Sequence, residues 1–209
     1  MTFVKICGIR DEATLAASKG ADAVGFVVNS PKSHRDLAHA EAHKLALVAG
    51  PFQTTVAVTA ERDPLSLHAI VREVRPHALQ VPFRAGQAAF ASLHEAFPML
   101  RILISCRPED AHLVPDLADA IVLDAATLDG YGGTGERTDW ATARVARQSA
   151  SVPIILAGGL TPDSVAEAIR VVEPYGVDVS SGVETDKAKD PAKIADFIVN
   201  AKGAKRVEG

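Results

Sequence analysis

Two side chains in this sequence have the types that general acid–base chemistry uses, and each stands where a short apolar run ends. Cys7 closes Val4-Lys5-Ile6 and is followed by Gly8-Ile9-Arg10, so a thiol sits where a strand gives way to a glycine turn. Asp124 closes Ile121-Val122-Leu123, and an acid in partly apolar surroundings has the raised pKa that a proton donor needs. The plain alternative for Cys7 is a small buried hydrophobe, since free cysteine is among the most buried residue types. For Asp124 it is a cap on the next turn. A cation, Arg35, ends the polar loop Asn29-Ser30-Pro31-Lys32-Ser33-His34 and can grip a carboxylate with its planar fork, or can be a solvated loop charge. Three glycine loops complete the set. Gly130-Tyr131-Gly132-Gly133-Thr134-Gly135 suits a lid or an anion-binding run of amides; Ala157-Gly158-Gly159-Leu160 and Ser180-Ser181-Gly182 suit phosphate. Alone, Gly158-Gly159 is explained by a tight turn; both later loops together point to a phosphorylated ligand.

Such residues act together only if the fold gathers the ends of these runs. Eight runs rich in Val, Ile and Ala recur: Thr2–Ile6, Ala23–Val28, Thr54–Thr59, Ala78–Val81, Arg101–Ser105, Ala120–Leu123, Pro153–Leu156 and Val177–Val179. They are continuously apolar, as parallel strands covered on both faces are. A helix is expected after each. Asp63-Pro64, Thr161-Pro162 and Asp190-Pro191 pair a capping side chain with a proline suited to the first turn. Val165, Ile169 and Val172, and then Ile194, Phe197 and Ile198, form one apolar stripe per helix. Spread over 209 residues, eight units take about 26 residues each and leave no room for a second domain. The α/β class expected is a single-domain (β/α)8 TIM barrel over residues 1–209, with the polar tail 202–209 frayed. An open doubly wound sheet is the rival, but Cys7-Gly8-Ile9-Arg10 is not its GxGxxG fingerprint. In a barrel, chemistry gathers at the carboxyl ends of the strands, and the loops after strands seven and eight commonly hold phosphate.

Composition narrows the ligand. The 22 Lys and Arg are scattered among 26 Asp and Glu for a net charge of −4, without the basic stripe that grips nucleic acid. No apolar run reaches the roughly 18 residues of a membrane span, and Met1 leads directly into a strand. A cytoplasmic protein acting on a small phosphorylated molecule is expected, without nucleic-acid or membrane partners. Two cysteines and seven dispersed histidines give neither a disulfide framework nor a zinc pattern, so neither metal nor cofactor is expected. Cys106, after Ile102-Leu103-Ile104, reads as core. Monomer and homodimer are both open.

The motifs resemble one family, phosphoribosylanthranilate isomerase of tryptophan biosynthesis. The matching pieces are Lys5-Ile6-Cys7-Gly8, Ala21–Phe26, Ser33-His34-Arg35, Leu123-Asp124, Gly132-Gly133-Thr134-Gly135, Asp139-Trp140, Ala157–Leu160 and Gly176–Glu184, in the family's order. The resemblance implies an Amadori rearrangement of N-(5-phosphoribosyl)anthranilate to 1-(2-carboxyphenylamino)-1-deoxyribulose 5-phosphate. It implies Cys7 as general base at C2 and Asp124 as general acid at the ring oxygen. It also implies Arg35 on the anthranilate carboxylate and Asp178 near the amine. Gly158, Gly159, Ser180, Ser181 and Gly182 would hold the phosphate. Lys5, the first helix dipole or the substrate is expected to lower the Cys7 pKa.

One stretch departs from the family. Its Gln-Leu-His-Gly after strand four is here Gln80-Val81-Pro82-Phe83, so Gln80 stays as a substrate-binding candidate and the sugar-facing wall is expected to become more apolar. Two rivals stand beside this reading. A histidine-pathway or bifunctional isomerase carries an aspartate at the position of Cys7 and a second phosphate site from a half-repeat. A non-catalytic phosphate-binding barrel has no need of Cys7 and Asp124.

Overall fold

The computed structural model describes residues 2–125 and 137–204. Eight parallel strands close on themselves: β1 (Phe3–Cys7), β2 (Ala23–Val28), β3 (Thr54–Val58), β4 (Ala78–Pro82), β5 (Arg101–Cys106), β6 (Ala120–Leu123), β7 (Ile154–Leu156) and β8 (Gly176–Val179). β1 pairs with β2 on one side and β8 on the other, which shuts the barrel. The helices α1 (Glu12–Ala17), α2 (His39–Val48), α3 (Pro64–Val74), α4 (Gln87–Ala96), α5 (Trp140–Ser149) and α6 (Val165–Val172) lie between the strands in sequence, and α7 (Pro191–Gly203) follows β8. This is the expected (β/α)8 barrel.

Strand geometry sorts the side chains. Successive residues point to opposite faces. On β1, Val4 and Ile6 join the large apolar layer shared with the helices, while Lys5 and Cys7 alternate with them and turn inward. β6 repeats the pattern: Ile121 and Leu123 face the helices, Ala120 and Val122 fill the interior, and Asp124 continues the inward series at the rim. Val56, Ala78, Leu103, Ala120, Val122 and Ala157 form a separate inner cluster. Below the rim the barrel is packed rather than hollow.

Three local expectations need correction. After β5 the chain makes only a 3-10 helix, Pro108–Leu113, instead of an α-helix. Its six residues end before Pro115 and leave no length for an amphipathic stripe. Asp63 and Asp190 do cap helices beside their prolines, but Thr161 closes a turn with Ser164 and α6 begins later, at Val165. Of the tail, Lys202 and Gly203 belong to α7 and Lys202 Nζ donates to Asp22 Oδ1 at 3.2 Å, while residues 205–209 lie outside the described residues. Among the described residues no helix is long and apolar enough to cross a membrane.

Candidate active site

At the carboxyl ends of the strands the structure opens into a cleft. Cys7, Arg35, Gln80, Asp124 and Asp178 all line it, together with Gly158, Gly159, Ser180, Ser181 and Gly182. Every described site residue expected from the sequence therefore reaches one cavity. The glycine loop with Gly132, Gly133, Thr134 and Gly135 lies outside the described residues.

Cys7 and Asp178 share one buried polar cluster on adjacent strands. Register sets Lys5 beside Asp178, and Lys5 Nζ donates to Asp178 Oδ2 at 2.7 Å. Burial works against the lysine charge, but Asp178, with help from Cys7, more than compensates and raises the Lys5 pKa. The thiol behaves differently from expectation. Burial pushes the Cys7 pKa above its ordinary value, and although Lys5 pulls it down, Asp178 adds to the rise. The free protein thus holds Cys7 as a thiol with a cation at hand. Asp178 Oδ1 is buried without a hydrogen-bond partner among the described residues, leaving an acceptor available at the cleft.

Asp124 is placed by backbone contacts. Its N–H donates to the Cys106 carbonyl at 3.0 Å, and the next amide, Ala125 N–H, donates to Thr138 Oγ1 at 3.0 Å. Gly158 packs against this corner with φ +82°, where a side chain would be strained and its Cβ would overlap Thr138 Oγ1. The loop after β7 and the acid after β6 are therefore one packed unit. The Ser180 hydroxyl donates to the Cys7 carbonyl at 3.2 Å and ties the loop after β8 to the thiol's backbone.

Arg35 is buried rather than solvated, and its fork is already engaged. Nε and Nη2 donate to the two oxygens of Glu184 at 2.7 and 2.8 Å. Glu184 also accepts from Lys189 Nζ at 2.7 Å. Despite its burial, these two cations hold the Glu184 carboxyl down to about 2. Sequence reading missed both partners. Glu184 stood at the end of a quoted motif, but its five-residue offset from Lys189 means nothing until the chain turns back as the hairpin Glu184–Thr185 with Ala188–Lys189.

The wall at strand four also differs from expectation. Neither Pro82 nor Phe83 lines the cleft; Phe83 packs on the outer apolar layer. The interior there presents Gln80 between Thr59 and Ser105, so the wall is polar. Gln80 Oε1 is a second buried acceptor without a partner among the described residues. Cys106 is buried in the outer layer, with its pKa pushed up to about 12 by burial and by Asp110 and Glu109.

A thiol, an acid, a cationic clamp and two small-residue loops around one cleft match what the motifs implied. The family model described as N-(5'-phosphoribosyl)anthranilate (PRA) isomerase matches residues 4–200. The chain belongs to the phosphoribosylanthranilate isomerase family. An N-(5'-phosphoribosyl)anthranilate isomerase from Methanothrix thermoacetophila is 40% identical over 205 residues, 95% of this chain and 97% of that protein. The structure of such an isomerase from Pyrococcus furiosus superposes with a TM-score of 0.82 at 29% identity, covering 97% of this chain and all of that one. A phosphoribosylanthranilate isomerase solved with reduced 1-(o-carboxyphenylamino)-1-deoxyribulose 5-phosphate gives a TM-score of 0.76 at 30% identity, over 97% of this chain. As a member of this family the chain is an aldose–ketose isomerase of tryptophan biosynthesis.

Proposed function

We propose that this chain carries out the family's Amadori rearrangement with Asp124 as general acid and Cys7 as general base. The observation that carries the reading is the convergence of the two on one cleft from β1 and β6, with the loops after β7 and β8 between them. The phosphate of N-(5-phosphoribosyl)anthranilate lies against Gly158-Gly159 and Ser180-Ser181-Gly182, where small residues let backbone amides approach an anion. The anthranilate carboxylate lies at Arg35.

With the substrate's ends so placed, Asp124 gives its proton to the ribose ring oxygen and the C1–O bond breaks. The product is a Schiff-base cation, with nitrogen carrying the positive charge beside C2. That cation acidifies the C2–H bond, and Cys7 takes the proton to leave an enolamine. Return of that proton to C1, with loss of the C2 hydroxyl proton that reprotonates Asp124, yields the ketose. The cation also favours the thiolate electrostatically, which offsets the burial that keeps Cys7 protonated in the free protein. Lys5 supports the same charge from below. Asp178 Oδ1 accepts from the anthranilate N–H, and Gln80 reads a ribose hydroxyl. We place the reaction in the cytoplasm, where two free buried thiols stay reduced.

The test measures disappearance of anthranilate fluorescence from freshly generated substrate, alongside binding of the reduced product analogue. Cys7→Ala and Asp124→Asn are expected to lose turnover by about 10²-fold or more, the scale of acid–base catalysis, while binding the analogue within a few-fold of wild type. Variants that retain full turnover would overturn the assignment.

A further inference from the structure

Arg35 belongs to a buried network that reaches well beyond the carboxylate subsite. Its stem crosses Gly8, where an added Cβ would overlap Arg35 Cδ, so the backbone after Cys7 forms the floor beneath the guanidinium. Glu184 takes Nε and Nη2 of the fork, and among the described residues it is the guanidinium's hydrogen-bond partner. Lys189 Nζ then bridges Glu184 Oε1 at 2.7 Å, the Ser180 carbonyl at 2.9 Å and the Ser180 hydroxyl at 3.3 Å. The Ser180 hydroxyl in turn donates to the Cys7 carbonyl. The Arg35, Glu184 and Lys189 side chains are only 7, 8 and 5% exposed, so these contacts are made away from water. His34 Nε2 stands 3.5 Å from Glu184 Oε2 and is the more exposed member, at 37%.

Two features give the network a direction. Arg35 lines both the cleft and a separate hollow, whereas Glu184 and Lys189 line only the hollow, with Gly8, Arg10 and Asp11. Glu184 therefore does not occupy the substrate carboxylate's place; it holds the fork from behind. In addition, Arg35 and Lys189 share one carboxylate between them. A buried cluster with more cations than anions is completed by an anion arriving on its open side.

We infer that Glu184 and Lys189 are positioning residues that aim Arg35 at the carboxylate of the substrate and tie that subsite, through Ser180, to the backbone of Cys7 and the phosphate loop. The inference rests on the placement of the substrate carboxylate at Arg35. It assigns the hairpin after β8 a specificity role: the class of ligand it selects is a phosphosugar bearing an aryl carboxylate.

The experiment titrates the folded protein calorimetrically with the reduced product analogue and with the same compound lacking its ring carboxylate. Wild type should favour the carboxylate-bearing compound. In Glu184→Gln that preference should fall by at least about tenfold, the order expected for a charge-assisted hydrogen bond, while the carboxylate-free compound binds as to wild type. Lys189→Met should move the ratio the same way, and it carries the comparison alone if Glu184→Gln does not fold. An unchanged ratio, or equal weakening of both compounds, overturns the inference and leaves Glu184 a structural ion pair. A wild-type protein that does not distinguish the two compounds overturns the placement of Arg35, and the inference falls with it.

Discussion

Cys7 concentrates the chemical problem of this site: a base must be buried to be shielded from water, yet burial disfavours its charged form. The structure meets this with a lysine one turn of the pleat below, itself held by Asp178. Since the thiol pKa is raised, the thiolate fraction of the free protein should grow with pH beyond the neutral range. In a Cys106→Ser background, iodoacetamide alkylation of Cys7 should be slow at pH 7 and still accelerating at the ordinary thiol value of 9.0. Lys5→Met removes the cation that opposes burial, so the curve should move further to the alkaline side; a move toward acid would contradict the account. At this scale the sequence was informative about type and position but silent about charge state. Cys7 and Asp124 stand out because each ends an apolar run. The direction of the Cys7 shift is set by burial, which outweighs Lys5, and Asp178, 173 residues from Lys5 in the chain, adds to the rise.

Strands and the loops after them decide whether these residues meet. Gly158 shows how tightly, because its left-handed backbone and its contact with Thr138 leave no space for a methyl group. Gly158→Ala should cost about 1–3 kcal/mol of stability in urea unfolding and should lower turnover, since the displaced loop carries the phosphate amides and abuts Asp124. Ile169, fully buried on α6, offers the contrast. Ile169→Ala should cost about 2–5 kcal/mol while the folded fraction keeps its KM. Equal effects of the two changes on KM would argue against a distinct role for the loop. The eight strands were legible to within a residue or so because continuous apolar runs separated by polar stretches leave few alternatives. What stayed hidden was the inward set. Lys5, Gln80, Ser105 and Asp178 alternate with outward Val, Ile and Leu, but the inner positions lower in the barrel are apolar too, so no clear period of two emerges. The short 3-10 segment after β5 was hidden for a different reason: the repeat of the other units suggested a helix where the chain is too brief for one.

Closure of the barrel brings the first and last strands together, and the most consequential contacts are between residues distant in sequence. Arg35 and Glu184 are 149 residues apart, and no local pattern could pair them. Their ion pair should register in the stability of the whole protein. The Glu184 carboxyl drops from 4.5 to about 2 on folding. A depressed folded pKa gives stabilisation that is present above 4.5 and lost as pH falls toward 2, worth about 3 kcal/mol at 1.36 kcal/mol per unit. Unfolding measured across this range should show wild type losing about that much more stability than Glu184→Gln. Parallel pH profiles would mean that the carboxylate is equally solvated in both states. Lys202 adds a smaller closure, binding the last helix to Asp22, whose other oxygen accepts from Val4 N–H at 2.8 Å.

The most direct test of the acid–base assignment is a crystal structure of this protein with the reduced product analogue bound. The account predicts the Cys7 sulfur beside C2, the Asp124 carboxyl within hydrogen-bonding distance of the oxygen that closes the furanose ring, the phosphate on the loops after β7 and β8, and the aryl carboxylate on Arg35. An analogue bound with C2 turned away from Cys7, or with its phosphate at Arg35, would contradict it.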